Sequence, residues 1–283
     1  MGYRVCSLNV RRSIRGDIKD RMFYAFMNKM IRYEGIDIFA FQEAKNINFI
    51  QNLLRNLPYG MKSEPKWKGE AISNNELAFV WNSERIEECS RRKSPIALNQ
   101  FQKYFKAGAE HMARPPVYGR FRPIDYEQNF EFRFVNVHLY HGGDDSKKSE
   151  NIRKEECNIV NGEIYKIINK PPQGKDGNFN TIFTIVMGDY NLDCNTCSGL
   201  GLAHVHTFQD KKTTLRPPKP DYNNSELGYK NSYDHFSYDK DSSVPHKPSR
   251  IDAVNRAMYF KGDFQSYWDE VSDHVPIKIE LLR

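Results

Sequence analysis

The stretch TIFTIVMGDYN, residues 181–191, decides how the chain is read. From Thr181 to Met187 it is almost wholly apolar or β-branched, the composition of a strand buried on both faces and too short for an ordinary helix. It breaks at Gly188 and presents an acid and an amide, Asp189 and Asn191, directly at the strand end. A rigid strand carrying such groups at its tip can hold acid–base or metal chemistry at a defined point.

Outward from this stretch the arrangement recurs. Tyr3 to Asn9 reads as a strand ending in Asn9, and Ile36 to Phe41 as a buried strand followed by Glu43. Phe130 to Leu139 carries His138 near its end, and Asp273–His274 precede a last strand from Pro276 to Leu282. Leu77 to Trp81 and Val117 to Phe121 are further strands. Helical spacing runs through Asp17 to Tyr33, stopped by Gly35, through Ile47, Ile50, Leu53, Leu54 and Leu57, stopped by Pro58, and through Ile152 to Ile168. Residues Pro171 to Gly177, Lys211 to Lys230 and Asp239 to Arg250 read as loops. With no internal period and no long linker, the expectation is one α/β domain over 1–283, with two layers of sheet and helices outside.

Composition bounds the possibilities. The chain has 283 residues, 42 basic against 36 acidic, hence a net +6, with 39% hydrophobic and 28% charged residues. These values describe a folded chain rather than a disordered one, and no apolar run approaches the length of a membrane span. The modest positive charge suits a protein that meets polyanions and equally an ordinary basic enzyme. The cysteines Cys6, Cys89, Cys157, Cys194 and Cys197 form an odd set with no framework spacing, which points to a reducing, cytoplasmic setting. Cys194 and Cys197 lack the second ligand pair of a zinc site and read as packed thiols; His204 and His206 read as one face of a strand rather than a metal pair.

The strand-end residues suggest a reaction. Glu and Asp are hard oxygen ligands for Mg²⁺, and two histidines with acids beside them can move protons or neutralise a phosphate oxygen. With no GxSxG, P-loop or GxGxxG present, the residue types point to metal-assisted attack of water on a phosphoester.

In order, Ser7-Leu8-Asn9, Phe41-Gln42-Glu43, Val137-His138, Gly188-Asp189-Tyr190-Asn191, Ser232-Tyr233-Asp234-His235 and Ser272-Asp273-His274-Val275-Pro276 resemble the endonuclease/exonuclease/phosphatase superfamily, and most closely its deoxyribonuclease I-like branch. The resemblance implies a four-layer α/β sandwich. It implies Glu43 as the main Mg²⁺ ligand, with Mn²⁺ as a substitute and Asn9 and Asp273 completing the shell. It pairs His138 with Glu76, and His274 with Asp234, on either side of the scissile phosphate. Asp189 would orient or deprotonate water, and Asn191 would hold a phosphate oxygen or the water. Asp252, in Ser249-Arg250-Ile251-Asp252, is a rival to Asp234. Which group is general acid and which general base stays open.

Arg114-Pro115-Pro116 resembles the segment carrying a phosphate-contacting arginine, and Arg11 and Arg12 are candidate phosphate contacts. Lys45 stands where the deoxyribonuclease pattern has a groove-reading arginine, and Asn74 where it has a stacking tyrosine. Those two departures put duplex DNA in doubt, while Lys45 stays, with Arg11 and Arg114, a candidate substrate-binding residue. The resemblance implies a phosphodiesterase acting on nucleic acid, chiefly DNA. The alternative is a phosphoesterase of the same superfamily acting on inositol phosphates, lipids or DNA-end adducts.

Overall fold

Strands apolar on both faces need a covering layer on each side, and the interleaved helices provide it. The computed structural model describes residues 2–11, 17–44, 47–58, 66–72, 76–89, 96–97, 112, 114–124, 130–142, 147–170, 181–208, 211–218, 228–245 and 248–281. In chain order the elements are β1 (Tyr3–Asn9), α1 (Asp17–Lys29), β2 (Ile38–Gln42), α2 (Ile47–Asn56), β3 (Trp67–Ile72), β4 (Leu77–Asn82), β5 (Ile86–Glu88), β6 (Ile96–Ala97), β7 (Val117–Pro123) and β8 (Phe130–His138). There follow α3 (Lys147–Ile159), α4 (Tyr165–Ile168), β9 (Thr181–Asp189), α5 (Cys194–Cys197), β10 (Val205–Phe208), β11 (Asp234–Asp239), β12 (Ser249–Arg250), α6 (Phe264–Glu270) and β13 (Ile277–Leu281).

Two mixed sheets form, ordered β12-β13-β1-β2-β4-β3 and β10-β11-β9-β8-β7-β5, with β6 also on β7. Each holds a central parallel pair, β1–β2 and β8–β9. Between the sheets lies one core, including Val5, Ile38, Ala40, Phe79, Phe132, Phe134, Ile185, Met187, Phe236 and Ile279. On the outer face of the first sheet, Leu8, Phe39 and Phe41 meet Phe23, Phe26 and Met27 of α1, Ile50 and Leu53 of α2, and Phe264 and Tyr267 of α6. On the outer face of the second, Val135, Val137 and Val186 meet Cys157, Val160, Ile164 and Ile168. Alternation within β1, β2, β8 and β9 thus feeds two cores at once, and the result is the expected four-layer sandwich.

The helices end where the sequence says they should. α1 runs on through a π turn, Met30–Glu34, and Gly35 closes it at φ 63°, a left-handed conformation glycine takes without a Cβ clash. α3 and α4 are joined by a second π turn, Val160–Ile164. The strands β3, β5, β6, β11 and β12 and the helices α5 and α6 have no counterpart in the sequence reading, and β12 falls within the stretch Asp239 to Arg250 expected to be a loop. β3 alternates Trp67, Gly69 and Ala71, and small residues leave a weak period-two signal. α6 spans only seven residues and is held by its cap, Asp263 accepting from Ser266 N at 2.9 Å. His206 lies on β10, whereas His204 precedes it in a turn, so the two do not share a strand face.

The core between the sheets turns polar at one end. Gln42 Nε2 donates to Asn136 Oδ1 at 2.7 Å across the gap and to Ser7 Oγ at 3.1 Å. Asn136 Nδ2 in turn donates to the carbonyls of Phe41 (2.9 Å) and Ala78 (3.1 Å). All three side chains are fully buried. Because a buried amide without partners costs about 1–3 kcal/mol, removing one member strands the others. Asn136→Ala should therefore lower unfolding free energy by about 3 kcal/mol in urea titration, more than truncation of an isolated surface amide.

Candidate active site

The alternation that fills the inner core also aims the polar strand ends. In β9 Ile185 and Met187 face inward, so Asp189 does too; in β8 the sequence is Phe132, Phe134, Asn136, His138; in β1 it is Val5, Ser7, Asn9. In β11 Asp234 shares the inward face with Phe236 and Tyr238, which turns His235 outward to bond the Leu192 carbonyl at 2.7 Å. Pairing brings these residues level: His138 stands opposite Asp189 across β8–β9, and Asp234 opposite Asp189 across β9–β11.

Backbone conformation at the tips is equally constrained. Gly188 has φ 144°, and a Cβ there would lie 1.9 Å from the Val137 carbonyl oxygen, so only glycine lets β9 approach β8 before Asp189. Of the five described non-glycine residues with positive φ, four are site candidates: Arg11 (43°), Glu43 (59°), Glu76 (54°) and Asn191 (49°). Such conformations are disfavoured for residues with a Cβ, and they concentrate where function demands a particular side-chain direction.

At the centre is one carboxylate oxygen, Asp189 Oδ2. His138 Nε2 and His274 Nε2 each lie 3.7 Å from it, and Asn9 Nδ2 donates to it at 3.0 Å. The other oxygen accepts from Asn191 N at 2.9 Å, while Asn191 Nδ2 donates to the Leu139 carbonyl at 3.0 Å. Asn9 Nδ2 also reaches Glu43 Oε1 at 3.3 Å, and Glu43 Oε1 lies 4.0 Å from His138 Nε2. His274 Nδ1 bonds Asp234 Oδ2 at 2.8 Å. Its backbone is fixed by Ser272, whose hydroxyl receives His274 N at 3.0 Å and donates to the Asn9 carbonyl at 2.6 Å.

Burial makes these charges interact strongly. Asp189 is pushed up to about 7, first by burial and then by the charge of Asp234, against the opposing pull of His274, Asn9 and Asn191. For His274 burial favours the neutral ring, yet Asp234 and Asp189 override it and hold the imidazolium well above its ordinary range.

Asp252 is engaged elsewhere. It accepts from the Tyr229 hydroxyl and from Asn255 Nδ2 at 3.2 Å, and it faces Arg250 at 3.7 Å. The partner of His274 is Asp234. Glu76 does not bond His138; its carboxylate faces Arg114 Nε at 3.9 Å, turned there from its left-handed position ahead of β4. Arg11 faces Asp273 at 3.7 Å and lies over the Trp268 ring at 4.2 Å. Lys45, Arg12 and Asn74 lie outside the described residues. The five cysteines are free thiols.

Two acidic groups could hold a cation. Asp189, Asp234 and His274 place ligand atoms within 4.8 Å of one another, but all three are buried and His274 is already hydrogen-bonded to Asp234, which suits proton sharing. Glu43 and Asp273 are more open, with side chains 18% and 30% exposed, and Asp273 Oδ1 is a buried oxygen with no hydrogen-bond partner. An oxygen-only set of this kind, beside the Asn9 amide, fits a hard divalent cation.

Above these groups opens a cavity of about 670 Å³, whose wall also includes Arg114, His141, Arg153, Lys230 and Trp268. Among these, the sequence reading singles out only Arg114 as a site residue. Arg153 is charged at a buried position of α3, a mismatch with the helix period that is the one signal for it.

No protein-family model matches the sequence, and no curated protein matches it. Solved structures do. An endonuclease/exonuclease/phosphatase family protein from Bacteroides thetaiotaomicron superposes with a TM-score of 0.61 at 18% identity, covering 99% of this chain and 95% of that one. The chain has the endonuclease/exonuclease/phosphatase fold. A mannosyl-6-phosphatase of the same bacterium shares this fold at a TM-score of 0.61 and 19% identity, over 99% of this chain and 100% of that one. So does D. rerio TDP2 complexed with a single-strand DNA product, at 0.62 and 13% identity, over 100% of this chain and 99% of that one. Among the described residues no helix is long and apolar enough to cross a membrane.

The hydrogen bond from His274 to Asp234 gives a direct test of the electrostatics. In Asp234→Asn the charge that outweighs burial is lost, so the His274 ring should titrate at lower pH than in the unmodified protein. NMR titration of the histidine ring protons reads the shift; an unchanged midpoint would show that Asp234 does not hold the proton on His274.

Proposed function

We propose that the chain is a divalent-metal-dependent phosphoesterase that hydrolyses a phosphate ester of a nucleic acid strand, DNA, by direct attack of water. The observation that carries this reading is the placement of two histidines at equal distance, 3.7 Å, from a single buried oxygen of Asp189, at the floor of an open cavity. A tetrahedral phosphate needs neutralisation on several oxygens and a base aligned with the attacking water. His274, kept cationic by Asp234 and Asp189, supplies positive charge to a phosphate oxygen. Asp189, with its carboxyl raised to about 7, can accept a proton from water at neutral pH. His138, across the same oxygen, would serve a second phosphate oxygen or the leaving group.

Glu43 and Asp273, with Asn9 beside them, would hold Mg²⁺ or Mn²⁺, which when bound neutralises phosphate charge and lowers the barrier to displacement. The cationic wall residues Arg114 and Lys230 support an extended anionic substrate. The neighbour whose structure holds a single-strand DNA product supports a DNA strand as the class.

A second reading keeps the chemistry and changes the substrate to a small phosphomonoester or a DNA-end adduct. It is favoured by the substrate named for the mannosyl-6-phosphatase neighbour and by the departures at Asn74 and Lys45 from the duplex-binding pattern.

A panel of plasmid, single-stranded DNA, RNA and small phosphomonoesters separates these. With Mg²⁺ the protein should cleave DNA, EDTA should stop it, and His138→Ala or His274→Ala should lower kcat about 100-fold or more. Phosphate release from monoesters without strand cleavage selects the second reading. If every phosphoester stays intact with both Mg²⁺ and Mn²⁺, the phosphoesterase reading fails.

A further inference from the structure

Arg153 is a buried side chain of α3. It is 6% exposed, makes no hydrogen bond or ion pair with any described residue, and has its Nε wholly enclosed without an acceptor. It nonetheless lines the cavity that holds Asp189 and the two histidines. Enclosing its Nε without an acceptor is costly, because that N–H leaves water and receives nothing in return. Of the two acids three residues either side of it on α3, partly exposed Glu150 feels the charge of Arg153 but is paired with Lys154, and Glu156 is occupied: its Oε2 accepts from Tyr140 N at 2.6 Å. That bond ties α3 to the segment leaving β8, and Gly142 packs on the Ser149 side chain, where a Cβ would meet Oγ at 2.3 Å. Arg153 is therefore held on a braced wall rather than on a free loop. His141, exposed and three residues beyond His138, lines the same cavity.

Resting on the phosphoesterase reading above, we propose that Arg153, with His141, forms a second anion subsite that takes a phosphate of the substrate other than the one being cleaved. A guanidinium fork matches two phosphate oxygens at once, and such charge-assisted pairs are stronger than neutral hydrogen bonds. The substrate class this specifies carries two phosphates in succession, as a nucleic acid strand or a nucleoside bisphosphate does. A lone phosphate ester fills only the histidine site. Arg153 is a specificity residue in this scheme, not one that touches the reacting atoms.

The test is calorimetric binding to the full chain in EDTA, so that no turnover consumes the ligand. The probes are deoxyadenosine 3′,5′-bisphosphate and deoxyadenosine 5′-monophosphate. The unmodified protein should bind the bisphosphate about 10-fold or more tightly than the monophosphate. In Arg153→Met that preference should shrink to within about twofold, and in Arg153→Lys, which keeps the charge without the fork, to an intermediate value. Equal affinities in the unmodified protein, or an undiminished preference in Arg153→Met, overturn the subsite. Should Arg153→Met fail to fold by circular dichroism, Arg153→Lys decides: a reduced preference supports the subsite and an unchanged one refutes it. A bisphosphate preference without turnover on any phosphoester sinks the catalytic reading alone, and turnover without that preference sinks the subsite alone.

Discussion

A hydrogen bond between two buried amides, Gln42 on one sheet and Asn136 on the other, sets the relation on which the site depends. Apolar side chains hold the sheets together but tolerate sliding, since burial is non-directional. Hydrogen bonds between enclosed amides do not, because a slip leaves donors and acceptors unmet. The amide row lies one inward-facing position short of the row of candidate site residues: Ser7 precedes Asn9, and Asn136 precedes His138 along the same strand faces. Once Gln42 and Asn136 meet, Asn9 of the first sheet and Asp189 of the second come within a 3.0 Å hydrogen bond.

The row beyond the amides works against stability. Four carboxylates, Glu43, Asp189, Asp234 and Asp273, gather around two histidines, and Asp234 Oδ1 and Asp273 Oδ1 are enclosed without hydrogen-bond partners. Backbone at Arg11, Glu43 and Asn191 is held in a disfavoured conformation. Concentrated negative charge of this kind is relieved by a cation and by protons, which His274 and Asp189 bind more tightly than isolated groups would. Arg153, buried on the cavity wall with no hydrogen bond to any described residue, is the reverse case, a positive charge that an anion would relieve. Local rules of satisfaction are broken at these places, and the rest of the sandwich compensates for them.

Legibility in the sequence followed the strength of the local signal. The strand ending in Gly188–Asp189 was readable because its residues are apolar on both faces, and the glycine because only that residue tolerates the approach to Val137. β3 and α6 were not, since small residues or two helical turns give little periodicity. The rivalry between Asp234 and Asp252 could not be resolved by spacing, as each sits in a family-like motif. Pairing of β11 with β9 resolves it, while Asp252 is drawn off by Tyr229, Asn255 and Arg250. The pairing of Glu76 with His138 failed for a related reason: a turn residue's direction depends on its φ and on neighbours such as Arg114.

The sequence by itself determined which residues stand at strand tips and which face each presents. Those properties follow from the two-residue repeat of an extended chain and from the conformational limits of single residues. Only the tertiary structure decided which tips stand level, which acid serves which histidine, and that Arg153 enters the same cavity. Those relations are between segments far apart in the chain, as with Asn9 and Asp189, 180 positions apart. Strand register and sheet-on-sheet alignment set them, and no local pattern encodes either.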